Sequence, residues 1–429
     1  MSGFDIEDVA RIHGLQTIKS YGGDTFAVCP FCNDTRGKFS YTVQKGDKKN
    51  IYHCFVCDAS GDMIKLHMEL SPQDFGISFE NRDEAKRDIA MRLGQDIGYF
   101  DRKYQERKIK TVNEAKRADK KTISATLYAV TRYCGLKDKH KRDLHRRGFT
   151  DASIKQFHFA SAPDDSRKMA AVLKAKGYVL KGVPGFYIDK GGEWNFSVRS
   201  KKMDGYLCPC FDGNFMTGFQ ERLDNPKEQG QKYIWVSSAN RENGTGSGAL
   251  CTLLPGKHSE CIIITEGILK AITVYVLLHG EITIIGVPGV KSLTHLKDVL
   301  ERFKDPYIIE AFDMDKCETK VIRETKERME NENILFETDC KDDIFKERVH
   351  KVIVQERIAR AATDLRTKLY TDFKMDSHDM RWDMTDNLWN GKYKGLDDFL
   401  LDYEDRDKFS DYCLKLAKKN KELKAILAS

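Results

Sequence analysis

Two hydrophobic periods alternate along the chain. In its second half, Cys261-Ile-Ile-Ile-Thr265 is a short unbroken apolar run bounded by polar residues, the pattern of a strand buried on both faces. An apolar helical pattern follows from Ile268 to Leu278, then a second such strand at Ile282–Ile285, ending at Gly286-Val-Pro-Gly289. A helix is expected over about Ser292–Phe303, and a third strand at Tyr307–Phe312 ends in Asp313-Met-Asp315. Strand, helix, strand, helix, strand predicts an open parallel α/β sheet. Elsewhere the period is two. Lys38–Val43 and Asn50–His53 read as strands around a turn at Lys45–Asp47, and Leu207–Leu223 reads as a hairpin turning at Asp212-Gly213. Thr150 or Asp151 is placed to cap a helix carrying Ile154 and Phe157. After Asp315 a long charged helical insertion places Ile344, Val349, Val352, Leu365 and Leu369 on one face.

Composition narrows the class. With 40% hydrophobic and 32% charged residues in 429, the chain can build ordinary cores, which excludes whole-chain disorder. No apolar run approaches the roughly 18 residues of a membrane span, and the N-terminus lacks a signal-peptide core. A soluble, cytoplasmic protein without membrane contact is expected. The net charge of +6 is mild and does not by itself identify a partner. Residues 101–121 carry nine Lys/Arg against four Asp/Glu and read as a solvated helix or tether.

Four of the 12 cysteines form two tight pairs, Cys29-Pro-Phe-Cys32 and Cys54-Phe-Val-Cys57. Two C-x2-C turns at this separation offer four thiolates to one tetrahedral Zn²⁺, a closed and therefore structural site. His53 abuts Cys54 and reads as a strand residue on a face that touches nucleic acid rather than as a ligand. Cys208 and Cys210 lack a partner pair and read as packing residues. Gly244–Gly248 and Gly289-Val-Lys291-Ser292 lack P-loop spacing, so no ATPase motor is indicated.

A second chemistry lies at the strand ends. Open parallel sheets bind ligands beyond the carboxyl ends of their strands. Glu266, Asp313 and Asp315 sit there, and a hard divalent cation is the simplest compensation for three convergent carboxylates.

The residues around these sites carry a resemblance. Cys57 is followed by Asp-Ala-Ser-Gly61-Asp62-Met-Ile-Lys-Leu66, with Asp62 placed to cap a helix. Over residues 5–70 this resembles the zinc-binding domain of bacterial and phage DNA primases, with Cys32 where the usual bacterial pattern has His. Leu144-His-Arg-Arg-Gly148 with Ile154 and Phe157 resembles the segment that opens the primase core. Glu266-Gly267 and Asp313-x-Asp315 look like the TOPRIM domain of primases, topoisomerases and some nucleases. Lys392-Tyr-Lys394-Gly395-Leu-Asp397-Asp398 resembles a run in phage and mobile-element primase-like proteins.

The resemblance implies a multidomain α+β and α/β chain. Its parts are a zinc ribbon (1–70), a charged helical linker (71–121), a basic subdomain of the primase core (122–255), a TOPRIM subdomain (256–400) with a helical insertion at 316–370, and a helical tail (401–429). It implies catalytic and Mg²⁺- or Mn²⁺-binding roles for Glu266, Asp313 and Asp315, with Asp397 completing the metal site and Asp398 alternatively capping the next helix. Two or more catalytic ions are expected. Arg222, in a hairpin ending Gly218-x-x-x-Arg, and Lys232, in Lys-Tyr-x-x-Ser, are implied phosphate contacts. One departure stands out: Lys270 occupies the place where many primases carry Asp, and it is expected to contact a phosphate instead. The implied activity is synthesis of RNA primers on single-stranded DNA from ribonucleoside triphosphates, alongside a separate helicase. Rival readings are a TOPRIM nuclease or topoisomerase-like enzyme, and a non-catalytic zinc-dependent DNA-binding adaptor.

Overall fold

The computed structural model describes residues 4–21, 23–45, 48–79, 81–94, 113–198, 204–225, 232–288, 295–334, 340 and 342–428. Gly46 and Asp47 of the expected turn, residues 101–112 of the basic stretch, and Gly289-Val-Lys291-Ser292 lie outside them. Contacts divide the chain into two units, Met1–Thr111 and Val112–Ser429.

In the first unit, α1 (Ile6–Ile12) leads into an antiparallel meander in chain order: β1 (Thr17–Tyr21), β2 (Asp24–Ala27), β3 (Phe39–Lys45), β4 (Lys48–Cys54) and β5 (Ser60–Asp62). Strands β3 and β4 are the pair expected from period two. Asp62 then accepts hydrogen bonds from the Ile64 and Lys65 amides at 3.1 and 3.0 Å, capping α2 (Met63–Asp74) as its position predicts. The helix α3 (Arg82–Arg92) departs from expectation. Its residues were assigned to a linker, yet Ala85, Ile89 and Ala90 are buried in one core with Phe39, Tyr52 and Leu66. Three apolar positions in a charged helix suffice because α2 and α3 pack on each other as a pair.

The second unit begins with α4 (Lys120–Cys134), α5 (Asp138–Arg146) and α6 (Asp151–Gln156). Thr150 and Ser153 form a reciprocal capping box that starts α6. After β6 (Ala160–Ser161), α7 (Ser166–Ala175) and the hairpin β7 (Phe186–Ile188) with β8 (Trp194–Phe196) comes the long hairpin β9 (Gly205–Asp212) and β10 (Phe215–Leu223). It turns through Gly213 and Asn214. The strands β11 (Tyr233–Trp235), β12 (Thr252–Leu254), β13 (His258–Glu266), β14 (Ile282–Val287), β15 (Tyr307–Glu310) and β16 (Ser377–Asp379) complete a sheet ordered β11-β10-β9-β12-β14-β13-β15-β16. Strands β13, β14 and β15 are the predicted parallel set, with β13 between its two partners. The intervening helices are α8 (Ile268–Leu277) and the short α9 (Leu296–Leu300).

The sheet runs through the expected boundary at residue 255. Strand β12 pairs parallel with β9 on one side and antiparallel with β14 on the other, so the hairpin half and the parallel half share hydrogen bonds. The insertion folds as α10 (Lys320–Asn331) and α11 (Asp343–Thr371). Val349, Val352, Leu365 and Leu369 are buried as the helical face predicts. Ile344 is not: it is 69% exposed in the first turn of α11, and its neighbour Phe345 turns inward instead. The small hairpin β17 (Met384–Thr385) and β18 (Leu388–Trp389) precedes α12 (Leu396–Asp402) and α13 (Arg406–Ala428).

Candidate metal centres

The two cysteine pairs fold alike. In each, the amide after the second cysteine donates to the carbonyl of the first: Asn33 to Cys29 and Asp58 to Cys54, both at 2.9 Å. Asn33 and Asp58 take the left-handed conformation, with φ of 56° and 58°, which turns the chain sharply enough to point two sulfurs one way. All four sulfurs then lie within 4.8 Å of one another. The Cys29–Cys57 and Cys32–Cys54 separations are 3.7 and 3.8 Å. Tetrahedral zinc with Zn–S near 2.3 Å requires sulfurs about 3.8 Å apart, so the donor set fits Zn²⁺ in kind, number and spacing. The Val56 amide, 3.4 Å from the Cys54 sulfur, is placed to stabilise a thiolate there. Without metal, burial pushes the Cys57 thiol up to about 11, so zinc binding is coupled to proton release. His53 is not part of the cluster; its Nε2 lies 2.9 Å from Asp58 and its ring packs edge-on against Phe55.

The acidic site is assembled differently. Glu266 is the last residue of β13, and Gly267, at φ 86°, turns the chain into α8. Strand β15 runs parallel beside β13 in the register Ile264↔Glu310, and the Ala311 amide bonds to the Ile264 carbonyl at 2.8 Å. That register carries Asp313 and Asp315 to the same sheet edge as Glu266. Burial raises the Glu266 carboxyl above its ordinary range, and the charges of Asp313 and Asp315 push it further. The sequence-predicted acids are therefore brought to one edge, near enough to act on one another's charge, although among the described residues their oxygens do not form a cluster within 4.8 Å.

Two ammonium groups lie among them. Lys270, in the first turn of α8, bonds to Oδ1 of Asp313 rather than standing free for a phosphate. Lys394 lies 2.5 Å from Asp315 Oδ2 and 3.7 Å from Asp313 Oδ2. Asp397, in the first turn of α12, is 7% exposed, and its Oδ1 is buried without a hydrogen-bond partner among the described residues. Burial pushes its carboxyl up to about 6 against the opposing pull of Lys270. Asp398 instead accepts from the Gly395 amide and caps α12.

The basic residues border this edge. Arg147 and Arg222 share Asp143, at 3.3 and 3.4 Å, and the guanidinium of Arg222 lies 5.4 Å from the Tyr206 ring centre. The Arg222 Nε is buried without an acceptor among the described residues, whereas Lys232 is exposed beside β11. Arg147 also acts on Asp397, which joins the basic cluster to the acids. The Gly244–Gly248 loop turns carbonyls inward: Arg117 donates to Gly246 O and Ser247 O at 2.8 and 3.1 Å. Cys208 and Cys210 are fully buried packing residues of β9.

Sequence reading missed the supports of the site. Glu310, fully buried in β15, receives two bonds of 3.0 Å from Arg366 of α11. Lys316 bonds to Asp379 of β16 at 2.6 Å, and Gln355 of α11 donates to the Lys316 carbonyl at 2.8 Å. The insertion thus holds the Asp313–Asp315 turn. A Glu inside the apolar run Tyr307–Phe312 is the one sequence signal that pointed to a buried ion pair.

A family model described as the CHC2 zinc finger matches residues 2–98. In this chain Cys32 makes the ligand set four cysteines. The chain is 28% identical over 218 residues to a DNA primase of Geobacillus stearothermophilus, a match covering 50% of this chain and 32% of that protein. It is 23% identical over 317 residues to a DNA primase of Clostridium acetobutylicum, covering 72% and 49%, and 32% identical over 188 residues to that of Thermotoga maritima, covering 41% and 28%. These matches span less than half of each curated relative's length. Among solved structures, the zinc-binding and RNA polymerase domains of the Aquifex aeolicus primase align over 87% of both chains, with 16% identity and a TM-score of 0.35. No helix among the described residues is long and apolar enough to cross a membrane. The chain thus carries a CHC2-type zinc ribbon ahead of a mixed α/β unit and is similar in sequence to bacterial DNA primases.

Proposed function

We propose that this protein is a DNA primase, which joins ribonucleotides into short RNA primers on a single-stranded DNA template by metal-dependent nucleotidyl transfer. The observation that carries the reading is the edge where Glu266, Asp313 and Asp315 meet the unsatisfied, buried carboxylate of Asp397. A buried acid oxygen without a donor among the described residues, Asp397 Oδ1, beside three further carboxylates fits a hard divalent cation, Mg²⁺ or Mn²⁺. Glu266, Asp313, Asp315 and Asp397 are the residues that would hold it. Such an ion, when bound, neutralises phosphate charge and favours ionisation of an attacking hydroxyl.

The chain's own residues supply the rest. Glu266, with its carboxyl raised above its ordinary range by burial, is suited either to the ion or to taking the proton of the primer 3′-hydroxyl. Arg147 and Arg222 form a fixed cationic wall beside the acids, suited to template or triphosphate oxygens, and Lys232 extends it at the surface. The zinc ribbon offers a template-binding module whose fold depends on its metal. A separate replicative helicase is the expected partner for delivering single strands.

The test is RNA synthesis from labelled ribonucleoside triphosphates on random single-stranded DNA with Mg²⁺. Asp313→Asn is expected to lower primer yield on the order of 10²–10³-fold, the scale of removing one electrostatic element of a catalytic site, while leaving single-strand binding intact. Wild-type yield from the variant would remove the catalytic assignment. Cleavage without incorporation by the wild type would favour a nuclease.

A further inference from the structure

Lys270 sits in an unexpected place for a cation. It lies in the first turn of α8, where the helix dipole disfavours positive charge, and only 21% of its side chain is exposed. Something must offset both costs. The contacts do so: its ammonium bonds to Asp313 and feels the charges of Asp397 and Glu266. The Gly395 backbone approaches as well, since a Cβ there would stand 3.3 Å from the Lys270 Cε and would overlap the Asp397 carboxylate. A fixed cation is therefore enclosed by three of the four acids.

Lys394 is different. It is 55% exposed, reaches Asp315 from the surface, and can swing away. With Lys394 swung away, four carboxylates against the fixed ammonium of Lys270 leave three minus, which one dication brings to one minus. The acids also do not close on each other as the thiols do: among the described residues the cysteines form a mutual cluster within 4.8 Å, and Glu266, Asp313, Asp315 and Asp397 do not. The ammonium of Lys270 separates them.

We propose that Lys270 is a built-in counter-ion holding the place of a second metal, so that this site takes one divalent cation and not two. The cation enters where Lys394 now lies, beside Asp315 and Asp313 and within reach of the Glu266 charge, with the buried Asp397 held on the Lys270 side of Asp313. The inference rests on the metal-dependent reading above and changes its metal count.

The test is Mn²⁺ binding to the zinc-loaded full chain, by calorimetry and by electron paramagnetic resonance of free Mn²⁺, with an Asp313→Asn/Asp315→Asn double variant as the baseline for unrelated sites. One ion above that baseline is expected for the wild type and two for Lys270→Asp. Two or more ions in the wild type would overturn the counter-ion role and leave the metal-dependent site standing. Binding no greater than baseline would overturn both. Should Lys270→Asp fail to fold, Lys270→Ala decides: with its counter-ion gone, its melting temperature should lie below wild type and rise more on adding Mn²⁺. Equal Mn²⁺-induced shifts in the two proteins would refute the proposal.

Discussion

The thiolate site and the carboxylate site gather four acidic side chains each and solve the resulting problem in opposite ways. The cysteines come from two local turns of identical backbone geometry, and their sulfurs stand at the spacing one zinc ion requires. The turns already share a sheet through β2, β3 and β4, and a zinc ion would add a direct crosslink between them. The carboxylates come from β13, the loop after β15 and α12, which are brought together by sheet register. Lysines already sit among them, so the fold does not wait for an ion. On the proposed reading, one centre is held by its metal and the other is held ready for one.

Stripping zinc tests that contrast at its largest. Structural zinc contributes apparent binding energies of about 10–16 kcal/mol in small zinc folds. Chelation, or Cys54→Ser, should therefore unfold the first unit while the second keeps its structure. Hydrogen exchange read unit by unit would show amides of β3 and β4 losing protection while those of β13 and β14 retain it. Loss of protection in both units together would break the comparison.

The carboxylate unit should have its own fixed point of failure in Arg366. Its two bonds to the fully buried Glu310 tie α11 to the central sheet, with Ser377 as the other side-chain partner of Glu310. Removing one partner of a fully buried pair costs about 3–5 kcal/mol, because the remaining charge is left uncompensated; Arg366 is 38% exposed, so solvent screening lowers the figure here to about 1–3 kcal/mol. Arg366→Ala is expected to lower the unfolding free energy of the second unit by that amount, read as a lower denaturant midpoint, and to leave the first unit unchanged. If the midpoint does not move, the insertion is a passive cover and the Asp313–Asp315 turn is held from elsewhere.

How far these features are legible in sequence follows from the range of the forces that make them. The cysteine spacing, the Asp62 cap and the strands around Glu266 rest on contacts within a few residues, and their patterns predict them. The meeting of Glu266 with Asp313 also follows, since strand order in a parallel sheet constrains where strand ends lie. Lys394 on Asp315, Arg366 on Glu310 and Arg147 near Asp397 do not follow. Each joins residues far apart in the chain, and charged positions in a helix look alike whether they face solvent or a buried partner. The helical character of α3 is legible but its packing is not, for a related reason: Ala85, Ile89 and Ala90 are too few to stand out among charges until α2 supplies the other wall.

The smallest expected effect has an informative sign. Asp397 has its carboxyl pushed up to about 6, chiefly by burial, from an ordinary value of 3.8. Because the folded state holds that proton more tightly than the unfolded chain does, stability falls as pH rises from the unfolded value toward 6 and stays low above it. The shift corresponds to about 3 kcal/mol of strain in the ionised form. Asp397→Asn, which cannot ionise, should therefore stabilise the second unit at pH 7.5 without added Mg²⁺, by up to that amount, and should show little gain near pH 4. The same substitution should lower primer yield, since it removes an oxygen held open for the ion. A variant that gains stability and loses activity would mark Asp397 as a group kept buried and charged for the metal, the reverse of the cysteines, whose loss should cost fold and function together. A destabilised Asp397→Asn at pH 7.5 would mean instead that its pairing with Lys270 outweighs its burial, and that the acidic edge is as self-sufficient without metal as an ordinary ion-pair network.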